Sequence, residues 1–312
     1  MGPRILFSAP EAQWPLWRPH LLAAFTAAGV EPTLTDDPAG PWTFDYIVYQ
    51  PGGPVTDFTP FTRLKAVLSL WAGVEGIAPN PTLTAPLCRM VDPGLTRGMV
   101  EWVAAHVLRY HLGLDAFLFG QDGVWRHGEA PPLAPARTVT VLGLGELGRA
   151  VALSLAALGF DVQGWSRRRR EVPGVRSFAG DDGLADALAR TEILVTLLPA
   201  TPETENLLDA RRLALLPAGA RLINPGRGGL IDDAALLAAL DSGRLAHATL
   251  DVFRQEPLPP GHPFWAHPRV TVTPHVAAET RPETAADTIA ENVRRGEAGL
   301  PFLHVVDRTA GY

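Results

Sequence analysis

At 312 residues the chain is about twice the size of a common domain, so two domains are the first expectation. With 46% hydrophobic and 19% charged residues it can build sizeable cores, which excludes a disordered chain. A formal net charge of −6 gives no electrostatic footing for nucleic acid or an anionic membrane, and the single cysteine, Cys88, excludes an intrachain disulfide and a cysteine-rich metal cluster.

The opening run MGPRILFSAPEAQWP is too short in its apolar part for a signal peptide. No stretch reaches the roughly 18 apolar residues that span a bilayer, so no membrane is expected as partner and a cytoplasmic location is. Residues 4–8, 46–49 and 66–70 are short apolar runs that read as buried strands. Between the first two, residues 15–28 carry apolar side chains at helical spacing, with Gly29 just past the end. This βαβ grammar favours a parallel sheet covered by helices. Cys88 follows Ala85, Pro86 and Leu87 and reads as a small core residue.

A long helix is expected over 95–119, with Val100, Val103, Ala104, Val107, Leu108 and Leu112 on its apolar side. The stretch 120–136 holds Trp125, Pro131, Pro132 and Pro135 and reads as an irregular connecting arm. A second βαβ series starts at Arg137. Its strands fall at 138–142, 160–165, 193–197, 221–223, 248–250 and 270–273, with a helix at 145–158 and an amphipathic helix at 281–295.

The strand at 138–142 leads into Gly143-Leu-Gly145-Glu146-Leu147-Gly148, followed by a helical pattern. In that context the three glycines have separate uses: Gly143 for the tight turn, Gly145 for close approach of a pyrophosphate, and Gly148 for helix–strand packing. The N–H groups of Glu146, Leu147 and Gly148 at the helix start then face the phosphates. NAD-type sites place an acidic residue at the end of the next strand, to hold the ribose 2′-hydroxyl. Here that position reads Trp165-Ser166-Arg167-Arg168-Arg169-Arg170. Guanidinium groups suit a 2′-phosphate, so Ser166, Arg167 and Arg168 point to NADPH as cofactor, with NADH bound more weakly. Arg169 and Arg170 are expected to be solvated.

Three further segments end predicted strands: Asn224-Pro-Gly-Arg227-Gly-Gly, Asp251-Val-Phe-Arg-Gln-Glu256-Pro and Thr273-Pro-His275. Open α/β sheets bind ligands at the carboxyl ends of their strands. Arg227 suits a substrate carboxylate and the adjacent carbonyl oxygen, His275 suits protonation of that oxygen, and Glu256 suits a partner for the imidazole. No metal is implied by these residues.

These segments, together with the runs WSRRR, PGVRSFAG, LLPATPET, DVFRQEPLPP, HPFWAHPRVTVTPHVAAETRP and the terminal DRTAGY, resemble the D-isomer-specific 2-hydroxyacid dehydrogenase family, over nearly everything from Arg137 onward. Within it they are similar to the reductases that take glyoxylate to glycolate and hydroxypyruvate to D-glycerate. The resemblance implies two doubly wound parallel-sheet domains, Rossmann- and flavodoxin-like, with the active site in the cleft between them. It places the substrate-binding domain at 1–97 and 284–312 and the dinucleotide-binding domain at 98–283. It makes Arg227, Glu256 and His275 catalytic and sets Leu198, Pro199 and Asp251 at the cofactor, with Asp251 against the nicotinamide amide. The N–H groups of Ala72, Gly73 and Val74 would hold the substrate carboxylate. It also implies a homodimer, with the arm around Trp125 in its interface. The N-terminal third departs from the family pattern: Trp71 and Glu75 bracket the carboxylate loop where Gly and Asp are usual, and Tyr49-Gln50-Pro51-Gly52 replaces a Trp-His before its loop. Two other functions are compatible with the same residues: another enzyme of the family, acting on phosphoglycerate, lactate or a bulkier 2-keto acid, and a non-enzymatic dinucleotide sensor or corepressor. Phosphoglycerate would want a cationic cluster near 49–58 or 71–77, which is absent, and a sensor would not need an acid–base pair.

Overall fold

The computed structural model describes residues 2–119 and 121–308. Met1, Gly120 and the 309–312 end of the DRTAGY run lie outside the described residues. The chain divides into two compact units, Met1–Leu95 with Glu279–Tyr312, and Thr96–Ala278. The two changeovers stand close to, but not at, the 97/98 and 283/284 positions expected from the sequence.

The first unit contains β1 (Arg4–Ser8), α1 (Trp14–Ala27), β2 (Thr33–Thr35), β3 (Tyr46–Tyr49), β4 (Ala66–Ser69) and β5 (Leu87–Cys88). Every pairing is parallel, in the order β2-β1-β3-β4-β5. That is the doubly wound flavodoxin-like order. Alternate strand residues serve opposite faces, as the period of two requires. Ile5 and Phe7 face Trp17, Leu21 and Phe25 of α1, whereas Leu6 and Ile47 face Phe58, Phe61 and Ile77. Cys88 lies in the first of these cores, and burial pushes its thiol up to about 12, as suits an inert packing residue. β2 escaped the sequence reading because three residues with two threonines at a sheet edge make no apolar run.

The chain then enters α2 (Pro93–His111), whose first N–H groups are capped by Asp92: Oδ1 accepts from Gly94 at 2.8 Å and Leu95 at 3.1 Å. The helix expected over 95–119 is not continuous. Gly113 takes φ +64°, and a separate turn, α3 (Asp115–Leu118), follows. Apolar spacing carries on across the break, which hid it; the glycine in the left-handed region is what ends α2.

The second unit adds β6 (Thr138–Leu142), α4 (Glu146–Ala157), β7 (Asp161–Ser166), β8 (Arg176–Ala179), α5 (Gly180–Leu188) and β9 (Ile193–Thr196). It continues with α6 (Ala210–Leu213), β10 (Ala220–Asn224), α7 (Asp233–Asp241), β11 (Leu245–Leu250) and β12 (Val270–Val272). The order β12-β11-β10-β9-β6-β7-β8 is parallel throughout, a Rossmann arrangement extended by one strand. One face packs Val139, Val141 and Val195 on α2 and α4, and the other packs Leu194, Leu222 and Leu250 on α5, α6 and α7. β8 was missed in the sequence because it is a partly exposed edge strand beginning with Arg176. Finally α8 (Pro282–Glu297) returns to the first unit, where Ala285, Ile289 and Val293 join the core of α1.

Candidate active site

The chain order reverses in the second unit between β6 and β9, so a crevice opens at the carboxyl ends of those strands. Register fixes what meets there. Leu142 pairs with Trp165 on one side and Thr196 on the other; Ile223 pairs with Val195, Asn224 with Leu250, and Leu250 with Val272. The segments after β7, β6, β9, β10, β11 and β12 therefore stand side by side along one edge. At about 4.8 Å per strand, the exit of β10 lies ~10 Å from that of β6.

At β6 the fingerprint glycines do what their spacing requires. Gly143 takes φ +102°, and a Cβ there would lie 2.4 Å from the Leu197 carbonyl oxygen. A Cβ on Gly148 would lie 1.7 Å from the Gly143 carbonyl oxygen, so α4 and the turn touch backbone to backbone. Gly145 differs: a Cβ would meet nothing within 4 Å. That open space, at the N-cap of α4 and beside the N–H groups of Glu146, Leu147 and Gly148, fits a pyrophosphate. Leu198 and Pro199 leave β9 beside this turn, and the Pro199 carbonyl is held by the Thr204 hydroxyl at 2.7 Å.

After β7, the Ser166 hydroxyl donates to the Arg168 carbonyl at 2.6 Å and curls the arginine run into a tight loop. Arg167 and Arg168 are exposed there. Arg169 is solvated beside Glu171, as expected. Arg170 is not simply solvated: its guanidinium donates to the Leu144 carbonyl at 3.2 Å, tying the loop to the glycine turn. That contact joins residues 26 apart in sequence, which no local pattern could display.

The residues expected to do chemistry follow on β10, β11 and β12. Asn224, fully buried, shapes the turn that presents Arg227. Its Oδ1 accepts from Thr196 Oγ1 at 2.6 Å and Gly226 N at 3.1 Å, and its Nδ2 donates to the Arg227 carbonyl at 3.0 Å. Glu256 and His275 meet directly, Oε2 to Nδ1 at 2.7 Å, while Glu256 Oε1 accepts from Phe253 N at 2.9 Å. A ring whose Nδ1 is engaged by a carboxylate keeps Nε2 for exchange with a ligand.

Asp251 holds the His275 loop. Its buried carboxylate accepts from Thr273 Oγ1 at 2.6 Å, Val276 N at 2.9 Å and Ala277 N at 2.9 Å, and its carbonyl accepts from His275 N at 2.8 Å. No local pattern signals this anchoring role of Asp251, or the Thr196–Asn224 and Thr273–Asp251 bonds, because they join residues on different strands. Ala72, Gly73 and Val74 belong to the first unit, in the turn after β4. Their N–H groups donate no hydrogen bond to any described residue, while the Ser69 hydroxyl steadies Trp71 by bonds to its N–H and carbonyl. Among the described residues no group of three or more His, Cys, Asp or Glu could hold a metal, and no helix is long and apolar enough to cross a membrane.

Residues 105–277 match the family model described as D-isomer specific 2-hydroxyacid dehydrogenase, NAD binding domain. The chain is 45% identical over 262 residues to a glyoxylate/hydroxypyruvate reductase A of Serratia proteamaculans, covering 80% of this chain and 82% of that protein. It is 42% identical over 281 residues to the protein of the same name from Yersinia enterocolitica, covering 86% and 88%. Among solved structures, a D-isomer specific 2-hydroxyacid dehydrogenase of Xanthobacter autotrophicus Py2 in complex with NADPH superposes with a TM-score of 0.92 at 41% identity, over 100% of both chains. An NADPH-dependent glyoxylate/hydroxypyruvate reductase of Sinorhizobium meliloti in complex with NADP and sulfate superposes at 0.87 and 37% identity, over 99% of this chain and 100% of that one.

Proposed function

The chain belongs to the D-isomer specific 2-hydroxyacid dehydrogenase family, and from that premise we propose that it reduces small 2-keto acids, glyoxylate to glycolate and hydroxypyruvate to D-glycerate, with NADPH. The observation that carries this reading is the 2.7 Å contact of His275 with Glu256 on the sheet edge that also bears the dinucleotide fingerprint.

NADPH, when bound, supplies the hydride to the carbonyl carbon. Everything else falls to the chain. The N–H groups of Ala72, Gly73 and Val74 hold the substrate carboxylate. Arg227 binds the carboxylate and the keto oxygen, and stabilises negative charge as the carbonyl electron pair moves onto that oxygen. His275 Nε2 gives its proton to the oxygen, which completes the hydroxyl, and Glu256 keeps the ring in place for it. Gly143, Gly145, Glu146, Leu147 and Gly148 receive the pyrophosphate, with Leu198 and Pro199 beside it and Asp251 near the nicotinamide. Ser166 shapes the loop from which Arg167 and Arg168 take the 2′-phosphate.

Two wider features are part of the same reading. The chain forms a homodimer through its arm, where Phe117, Phe119, Val124, Trp125 and Leu133 are exposed apolar side chains in one stretch. It works in the cytoplasm, where a lone buried thiol is at home.

The test is turnover of a panel of 2-keto acids with NADPH and with NADH. Glyoxylate and hydroxypyruvate should be reduced, with NADPH preferred. Changing Arg167 and Arg168 to Ala should weaken NADPH about ten- to a hundredfold per arginine and spare NADH, since hydrogen bonds to charged groups are worth roughly 1.5–3 kcal/mol. Equal losses for both cofactors would remove the arginines from the phosphate site.

A further inference from the structure

Arg254 sits between Asp251 and Glu256, yet its side chain binds other segments. Nη1 reaches Glu205 Oε1 at 2.5 Å, and Nη2 donates to Asn206 Oδ1, to the Ile231 carbonyl at 2.5 Å and to the Gly229 carbonyl at 3.3 Å. Nε lies 3.6 Å from Asp233 Oδ1. Gly229 and Ile231 belong to the turn that runs on from Arg227 towards α7, so one guanidinium bolts the Glu256 segment to the Arg227 segment.

The backbones meet at the same place. A Cβ on Gly228 would lie 2.0 Å from the Phe253 carbonyl carbon and 2.4 Å from Arg254 N. The two segments touch backbone to backbone there, and the arginine ties them together beside that contact. Glu256 is fixed to this segment through Phe253 N and holds His275 with its other oxygen. A run of direct contacts therefore leads from the Arg227 turn, through Arg254, to the histidine. An ordinary surface ion pair is worth roughly 0–1 kcal/mol and positions little. This one is different in kind, because the side chain is only 33% exposed and its guanidinium engages two carboxylates, an amide oxygen and two carbonyls at once. A lysine ammonium lacks the planar fork that spans those partners.

We propose that Arg254 is a positioning residue: it sets the register between Arg227 and the Glu256–His275 pair and does not itself touch substrate. The inference rests on the reading in which Arg227 and His275 act on the keto acid. A displacement of about 1 Å in such a constellation costs on the order of a hundredfold in rate.

The experiment is a double-mutant cycle on the full chain with NADPH and glyoxylate, using R254A, R227K and the double variant. R254A should lose about ten- to a hundredfold in kcat/KM for glyoxylate, with NADPH binding by fluorescence unchanged. In the R227K background the same substitution should cost less than about threefold, because the group it positions is already impaired. R254K should recover little of the loss, and it carries the same cycle if R254A does not fold. Losses that multiply in the double variant, or an R254A enzyme with wild-type kcat/KM, overturn the positioning role while leaving the reaction assigned. Wild-type turnover by R227K overturns the catalytic reading itself, and the proposal with it.

Discussion

His275 holds a left-handed backbone conformation, φ +56°, which a non-glycine residue keeps only where its surroundings enforce it. Asp251 is the enforcer, accepting bonds from the N–H groups of His275, Val276 and Ala277 and from the Thr273 hydroxyl. Such a loop is built to deliver one ring in one orientation. His275→Ala should accordingly cost about 10²–10⁴-fold in the chemical step, the usual worth of a positioned acid. Glu256→Gln, which keeps the shape and one acceptor, should cost less. Rates of both variants with NADPH and glyoxylate check this, and near-normal turnover in His275→Ala would move proton transfer to another residue. Arg227, Glu256 and His275 stand out in the sequence as candidates because each lies among turn residues past an apolar strand. Arg254 lies in the same kind of run and does not, since its Glu205 partner is 49 residues away.

Among the elements, the turn between β6 and α4 separates packing from binding within one motif. Gly148→Ala would press a methyl group onto the Gly143 carbonyl oxygen and force α4 off the sheet, so both thermal stability and NADPH binding should fall. Gly145→Ala meets nothing within 4 Å and has an ordinary φ of −72°, so the protein without cofactor should melt as the parent does. NADPH affinity should nonetheless drop, because the methyl enters the pyrophosphate space. Calorimetry with and without NADPH separates the two variants, and an undiminished affinity in Gly145→Ala would place the phosphates elsewhere.

The packing of α2 against the sheet makes a pH prediction. Burial, with Arg109 close by, brings both His106 of α2 and His247 of β11 down to about 4. His106 lies 4.3 Å from Trp102 between ring centroids, and His247 Nε2 is 2.9 Å from Thr271 Oγ1. Unfolding restores an ordinary imidazole of about 6.5, so between 6.5 and 4 the unfolded chain binds more protons. The stability due to keeping these rings neutral is complete above pH 6.5, declines as pH falls towards 4, and declines no further below it. Melting curves of a His106→Gln, His247→Gln variant from pH 7.5 to 4.5 should be flatter than those of the parent. Parallel curves would show that neither ring controls acid stability. Elements such as β2 and β8, and the break at Gly113, escaped the sequence reading because an edge strand needs few apolar residues and a helical apolar spacing can outlast its helix.

For the molecule as a whole, the two-sheet plan was readable from alternating strand and helix patterns, but the placement of α8 was not. Its apolar stripe of Ala285, Ile289 and Val293 would suit either sheet, and only the family resemblance assigned it to the N-terminal unit, whose core it does join. Each unit draws its cores from its own residues. We therefore expect the second unit to fold alone, given correct ends. Met99, Val103, Val107 and Tyr110 of α2 are core residues of that unit, so the fragment has to include the whole helix. It has to start at Asp92, because that carboxylate caps Gly94 and Leu95, and losing such a cap costs about 1 kcal/mol. It has to run past Ala277, which is buried in the same core and bonded to Asp251. The fragment 92–278 should thus give a cooperative denaturant transition and bind NADPH with an affinity near that of the intact chain. If Ala72, Gly73 and Val74 hold the substrate carboxylate as proposed, it should turn over no keto acid. A fragment that is unfolded, or that folds and ignores NADPH while the intact chain binds it, would mean that the dinucleotide site depends on residues of the first unit.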